Sequence, residues 1–269
     1  MKISVVTISY NQAAFLERAI NSVLSQTGVD VEYIMVDPGS ADGSREIIER
    51  YLESFAVVIQ EKDDGPADGL NKGFARATGD VYCYLNSDDT FEPGAFARAA
   101  AFLEKRPEYD VICGHAWVTD KEDRRLRRVW SEPYCPRFVA YGAAVQIQPS
   151  TFIRRAAFLK CGGFNPENRI SWDGELLADL HLTGAKIGII DEFLSCYRLH
   201  SASITVNHGK FAPVARESEQ RHFEKLMGRP MGSTDRLAEC PFRLAKHLLH
   251  PRATLERLLC GSIHSQVKA

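Results

Sequence analysis

The stretch Tyr84-Leu85-Asn86-Ser87-Asp88-Asp89 decides how this chain is read. It leaves an apolar run, Val81-Tyr82-Cys83-Tyr84-Leu85, that has the composition of a buried strand. Thr90, Glu92, Pro93 and Gly94 follow and read as a loop and a helix start. Carboxylates at the C-terminal end of a buried strand lie where an open α/β sheet places its ligands. Two adjacent carboxylates stay ionised side by side most readily next to a divalent cation. Hard cations such as Mg²⁺ and Mn²⁺ take oxygen ligands and share them with substrate phosphates. The stretch therefore points to a phosphate-bearing substrate held through a metal. By itself it fits equally a solvated turn in which Asp88 or Asp89 caps the next helix.

The first 110 residues alternate strand and helix. Buried strands are predicted at Ile3–Ser9, Val31–Val36, Phe55–Ile59 and Val81–Leu85. Helices are predicted at Ala13–Gln26, around Ile47–Leu52, around Leu70–Ala77 and at Ala95–Leu103. That order implies an α/β fold with a mostly parallel twisted central sheet flanked by helices. The pattern then changes. Val111–Val118 and Leu126–Trp130 read as a hairpin about the polar turn Asp120–Arg125. A strand at Ile147–Ile153, a helix near Glu175–Leu182 and a strand at Ile187–Ile190 follow, and from about Asn207 the chain reads as helical and basic.

In a parallel sheet the C-terminal strand ends share one edge. The first strand delivers Thr7, Ser9, Tyr10 and Asn11 to it, and the second delivers Asp37. The loop after the third carries Asp63, Asp64 and Gly65, and the next helix opens with Asp68 and Lys72. The fourth delivers Asn86, Ser87, Asp88 and Asp89. Solvation alone does not explain so many acids, an aromatic ring and a lysine on one edge. No G-x-G-x-x-G follows the first strand and no G-x-x-x-x-G-K-[ST] occurs anywhere, which argues against a dinucleotide enzyme and a P-loop NTPase.

The net charge of -2 over 269 residues gives no global basic field for nucleic acid. Seven scattered cysteines without a C-x-x-C pair suggest reduced thiols in a cytosolic setting rather than a disulfide frame or a zinc site. The apolar N-terminal stretch is β-branched and short, so it reads as a strand and not a signal peptide. No run approaches the roughly 20 apolar residues of a membrane span.

Several segments, in order, resemble the family 2 glycosyltransferases of the GT-A fold. They are Val5–Asn11, Asp37–Ser44, Asp68–Gly73, Leu85–Asp89, Gly162–Asn165, Trp172-Asp173 and Tyr197–Ser201. The resemblance covers about residues 1–206, with a nucleotide-sugar-binding half to about 110 and an acceptor-binding half after it. A helical basic extension, 207–269, lies outside it. The resemblance implies that Thr7, Ser9, Tyr10 and Asn11 line the nucleotide, with Tyr10 against the base. It implies that Asp37 accepts from a base N–H, favouring uridine or thymidine, and that Asp68 and Lys72 contact the nucleotide or its diphosphate. Asn86-Ser87-Asp88 stands where the family has its Asp-x-Asp motif, so Asp88 would bind the metal, Mn²⁺ or Mg²⁺, with His200 as a further contact. Asp173 matches the catalytic base. Asn86 replaces the usual first aspartate of the motif. Trp172 stands where the family often has glutamate, and either stacking on an acceptor sugar or core packing suits it.

The implied activity is an inverting, metal-dependent transfer of a sugar from a nucleotide-diphosphate sugar, UDP-sugar favoured, to a hydroxyl of a saccharide or lipid-linked acceptor. The setting implied is assembly of cell-surface glycans. Two other readings compete: a degenerate sugar-nucleotide-binding protein, and a sugar-1-phosphate nucleotidyltransferase. The second wants a glycine- and arginine-rich loop where this chain has Asn11-Gln12-Ala13-Ala14. The tail from 207 carries 11 Lys and Arg against 6 Asp and Glu, a net +5 that leaves -7 on the rest. Phe242, Ala245, Leu248 and Leu249 form an apolar face opposite Arg243, Lys246, His247 and His250. Such a tail either lies on an anionic membrane surface or docks on the catalytic domain or a second subunit. The expected location is cytoplasmic, at the inner face of the cell membrane if the tail binds lipid.

Overall fold

A computed structural model describes residues 1–201, 203 and 212–261. Nine strands form one sheet: β1 (Lys2–Ile8), β2 (Asp30–Val36), β3 (Val57–Ile59), β4 (Val81–Asn86), β5 (Thr90–Phe91), β6 (Val111–Thr119), β7 (Arg125–Val129), β8 (Thr151–Arg154) and β9 (Ile187–Arg198). Their order is β3-β2-β1-β4-β8-β6-β9-β5, with β7 paired to β6. The strands of the first 110 residues, β3-β2-β1-β4, pair in parallel as predicted. Beyond β4 the described sheet is mixed: β8 runs antiparallel to both β4 and β6, and only β6 and β9 pair in parallel. The short turn after β4 leads straight to β5, which pairs with β9 at the far end of the order. The sheet must curl for that, and the curl brings the Asp88-Asp89 turn to the end of β9.

Alternation along the strands feeds two cores. Ile3, Val5, Val81, Cys83 and Leu85 pack against α1 (Ala13–Leu24), α2 (Ser44–Arg50) and α4 (Ala95–Lys105). Val6, Tyr82 and Tyr84 face α3 (Pro66–Phe74), α6 (Arg155–Cys161) and α7 (Trp172–Leu182) on the other side. Helix α3 sits very close to the sheet: a Cβ on Gly73 would lie 2.5 Å from Val6 Cγ1. That seat fixes the loop of residues 62–65 before α3.

Three predicted elements differ from the structure, each for a local reason. Residues Gln148–Ser150 form a 3₁₀ turn and the strand starts only at Thr151, because Pro149 has no N–H for a ladder. Helix α7 starts at Trp172, so Asp173 stands in its first turn and not before it. Strand β9 runs on to Arg198, past the acidic pair Asp191-Glu192 that reads as a strand end. Register irregularities opposite Cys113 and His115 absorb that segment, and Asp191 bonds His115 at 3.0 Å.

The C-terminal helices are α8 (Ala212–Met227), α9 (Ser233–Leu249) and α10 (Pro251–Cys260); the short α5 (Pro136–Ala140) packs against α8. The predicted boundary at 206/207 and the helix start near Asn207 lie outside the described residues. Helices α8 and α9 dock through Phe223 and Phe242, with Phe242 stacked on Tyr141 at 4.4 Å. Helix α10 docks through Glu256, which takes the Arg128 backbone N–H at 2.7 Å and its guanidinium at 3.1 Å. The predicted apolar face is therefore split: Phe242 and Ala245 are half-buried, while Leu248 and Leu249 face solvent. No helix among the described residues is long and apolar enough to cross a membrane.

Candidate active site

A cleft of about 810 Å³ opens along the C-terminal edge of β1, β2 and β4, lined among others by Ser9, Tyr10, Asp63, Asp88, Trp172 and Asp173. Tyr10, 62 % exposed, stands on its rim. Ser9 is buried beneath, and its Oγ has no hydrogen-bond partner. Asn11 adopts a left-handed φ of 53° and ties two loops together: its N–H donates to Ser40 Oγ and its Oδ1 accepts from the Ala41 N–H. Asp37 is fully buried; Oδ1 accepts the N–H groups of Gly39 and Ser40, and Oδ2 is left without a partner. Buried polar atoms seldom remain unpaired, so the lone Ser9 Oγ at the cleft marks a place for a ligand, whereas Asp37 lies beneath the cleft and does not line it.

Thr7 is a correction. It shares the face of Ile3 and Val5, is fully buried, and its hydroxyl meets Tyr33 Oη at 3.0 Å, so it does not line the cleft. Alternation decides this, since only every second residue of β1 faces α3. Asp68 and Lys72 pair with each other at 3.0 Å on α3. Asp68 also accepts the Asp64 N–H, and Lys72 donates to Lys62 O. Both brace the loop at residues 62–65 that forms the cleft wall, and neither lines the cleft.

The turn after β4 is built by β9. Arg198, fully buried, donates its backbone N–H to Asp89 Oδ1 at 2.8 Å and its Nε to Asp88 O at 2.6 Å. Its Nη1 donates to Asp120 O, and Nη2 pairs with Asp123. Two residues on, His200 Nε2 lies 3.0 Å from Asp88 Oδ2. Burial, and then the charge of Asp88, push the Asp89 carboxyl well above the carboxylate range. Asp89, 1% exposed, shapes the turn through the Arg198 N–H, and the more exposed Asp88 side chain faces the cleft. Asn86 donates to Gln148 Oε1 at 3.0 Å, and Gln148 Nε2 donates to Tyr84 O. Ser87 is buried within the turn.

Arg198 was legible only as part of the Tyr197–Ser201 segment, and Gln148 and the cleft-lining Arg169 gave no sequence signal. Replacing Arg198 by methionine leaves the Asp88 and Asp120 carbonyls without their donor at a buried junction and takes one of its two arginine partners from Asp123, which keeps Arg18; this costs about 2 kcal/mol. The urea midpoint of Arg198→Met should fall accordingly. Arg198→Lys should recover little, since an ammonium cannot bond three directions in a plane.

Across the cleft, Trp172 and Asp173 open α7. Trp172 packs in the core with Leu176 and Tyr84, and its Nε1, which has no partner, belongs to a ring that also borders the cleft. Asp173 is half-buried, and burial raises its carboxyl above the ordinary aspartate value. It stands between the cleft and a second pocket of about 390 Å³.

Among the described residues, no three His, Cys, Asp or Glu side chains converge as a metal cage. Asp88 offers a carboxylate at the cleft wall, and His200 stands behind it with Nε2 at 3.0 Å. That pair fits a hard divalent cation that takes its remaining ligands from a diphosphate and water.

The family model for glycosyl transferase family 2 matches residues 4–162. The chain belongs to this family. It is a glycosyltransferase, and its curled sheet with flanking helices is the GT-A fold. The matched stretch includes the Asp88 turn and ends before Asp173 and His200. An uncharacterized glycosyltransferase of Nostoc sp. is 32% identical over 233 residues, which is 82% of this chain and 71% of that one. TuaG of Bacillus subtilis, named for teichuronic acid biosynthesis, is 28% identical over 235 residues, 83% and 90% of the two chains. Among solved structures, S. aureus TarS 1–349 in complex with UDP superposes with a TM-score of 0.66 at 18% identity, covering 99% of this chain and 77% of that one. The mannosyltransferase PcManGT of Pyrobaculum calidifontis, in complex with GDP-Man and Mn²⁺, gives 0.65 at 16% identity, covering 98% and 77%.

Proposed function

We propose that this glycosyltransferase moves a sugar, with inversion, from a UDP-sugar to a hydroxyl of a saccharide or lipid-linked acceptor, at the cytoplasmic face of the membrane during cell-surface glycan assembly. The observation that carries the reading is the pair of carboxylates that line one cleft: Asp88 in the turn after β4, and Asp173, its pKa raised by burial, in the first turn of α7. The names of TuaG, of TarS bound to UDP and of PcManGT support the glycan setting and the nucleotide-sugar donor.

Each residue then has a task. Tyr10 offers a ring to the base, and Asp37, buried at the end of β2, holds the Gly39–Ser40 loop beside it. Ser9 Oγ and Asn86 face the ribose side. Asp88 and His200 hold a divalent cation, which when bound offsets the charge that builds on the leaving diphosphate. Asp173 takes the proton of the attacking hydroxyl as its oxygen bonds to the anomeric carbon from the side opposite the diphosphate. Residues to about 110 serve the donor and 111–206 the acceptor, apart from His200 on the cation.

Asp173 must be ionised to act, and burial raises the pH at which it ionises. The kcat/KM for transfer should therefore fall on acidification through an apparent pKa above the usual 3.8. Products should show the inverted anomeric configuration by NMR. Retention of configuration, or an acid limb at or below 3.8, rejects Asp173 as the base.

A further inference from the structure

The C-terminal helices carry their amphipathicity inside out. On α9, Asp235 is buried and bonded to Arg229 and Tyr141, and Lys246 lies 3.4 Å from Glu132 of the catalytic body. On α10, Glu256 is the buried anchor. The outward faces are apolar. Leu237, Leu244 and Leu248 recur at i, i+7 and i+11, one stripe of a helix, and are 77%, 63% and 77% exposed. Leu255, Leu258 and Leu259 continue the surface on α10 at 57%, 78% and 73%. Single exposed leucines are ordinary, but seven on two adjoining helices, counting Leu249, make a patch of the kind that marks an interaction site. Exposed Arg236, Arg243 and Arg257 border it.

We propose that α9 and α10 seat on an anionic lipid surface and so hold the second pocket, on the far side of Asp173, at the membrane plane for a lipid-linked acceptor. Three observations favour lipid as the occupant. The tail is net positive and arginines border the leucine patch, which suits an anionic bilayer. Elsewhere among the described residues the exposed large hydrophobics are fewer, with Leu159 and Leu182 on the contacting helices α6 and α7 and Leu24 and Leu52 elsewhere, so the leucine patch is the larger apolar surface that a second copy offers. Patch against patch would also oppose like-charged arginine borders. The second pocket points the same way. It shares Gln148, Ile170 and Asp173 with the donor cleft and runs past Tyr141, Val145, Leu176 and Met231 to Glu239 and Arg243 on α9. A largely apolar passage from the base to the seating helix suits an acceptor whose hydroxyl is borne on an apolar carrier. The seat does not depend on the transferase reading; the acceptor's carrier rests on it.

The test is co-sedimentation of the full chain with phosphatidylcholine vesicles, with and without phosphatidylglycerol, beside UDP–Mn²⁺ binding. The native chain should bind the anionic vesicles and, far more weakly, the neutral ones. The triple variant Leu244→Glu, Leu248→Glu, Leu258→Glu should lose about tenfold or more of that binding and keep nucleotide binding. Arg236→Gln with Arg257→Gln should lose a smaller part and flatten the salt dependence. If the triple variant misfolds by circular dichroism, Leu258→Glu alone carries the same expectation at smaller size. Equal sedimentation of native and variant chains, or none with either vesicle, overturns the seat. So does light scattering that shows a native dimer turned monomer by the leucine changes without vesicle binding. Vesicle binding without any nucleotide binding would instead retain the seat and reject the transferase reading.

Discussion

Asp173→Asn should lower transfer by about 10²–10⁴-fold while the nucleotide still binds. The amide is nearly isosteric, so the first turn of α7 and the packing of Trp172 should persist, and the loss falls on proton removal alone. The acceptor hydroxyl has a pKa far above that of any aspartate, so the base acts as the bond to the anomeric carbon forms and not before it. A half-buried carboxylate with a raised pKa suits this better than a fully solvated one, because it holds a proton more firmly at the moment of transfer. Turnover by steady-state assay and UDP affinity by calorimetry separate the two effects. A variant with near-native turnover contradicts the assignment, and one that loses UDP binding as well places Asp173 on the donor side.

Asp88→Ala should cost about 10²–10³-fold in turnover and should also weaken the nucleotide in the presence of Mn²⁺. The two losses come together because one carboxylate faces the cation and, through it, the diphosphate. The fold should survive better than in Arg198→Met, since Asp88 is partly exposed and the turn is held by its backbone carbonyl and by Asp89, not by its carboxylate. Asp89→Asn makes the contrast. Its carboxyl is already pushed toward the neutral form, so the amide should be tolerated in binding and should leave most activity in place. An Asp88→Ala variant with unchanged metal response would move the cation elsewhere.

The parallel half of the fold was legible because its strands are continuous apolar runs with acidic ends, a pattern that only a doubly covered sheet explains. The Asp88 turn was legible for the same reason. The second half was less so, because its key features arise from long-range pairing. Nothing local shows that β9 continues past Asp191-Glu192, since the pair stays exposed at the register irregularity and its partners, His115 and Arg252 for Asp191 and Arg98 for Glu192, are far off in sequence. Arg198 therefore reads as an ordinary strand residue until the curl of the sheet buries it under Asp88 and Asp89. Thr7 was misplaced because a motif does not say which face of a strand its members take, whereas alternation does. The tail showed its amphipathicity in sequence but not which face meets the body. Phe242 won the inward position by stacking on Tyr141, and that turned Leu244 and Leu248 outward.

The most direct test of the account is calorimetric binding of UDP to the native chain with Mn²⁺ and again with excess chelator, beside dTDP, GDP and CMP. UDP should bind saturably and more tightly with Mn²⁺, Asp88→Ala should lose that Mn²⁺ gain, and the other nucleotides should bind more weakly. Binding of no nucleotide, or UDP binding indifferent to both chelator and Asp88→Ala, would contradict the account.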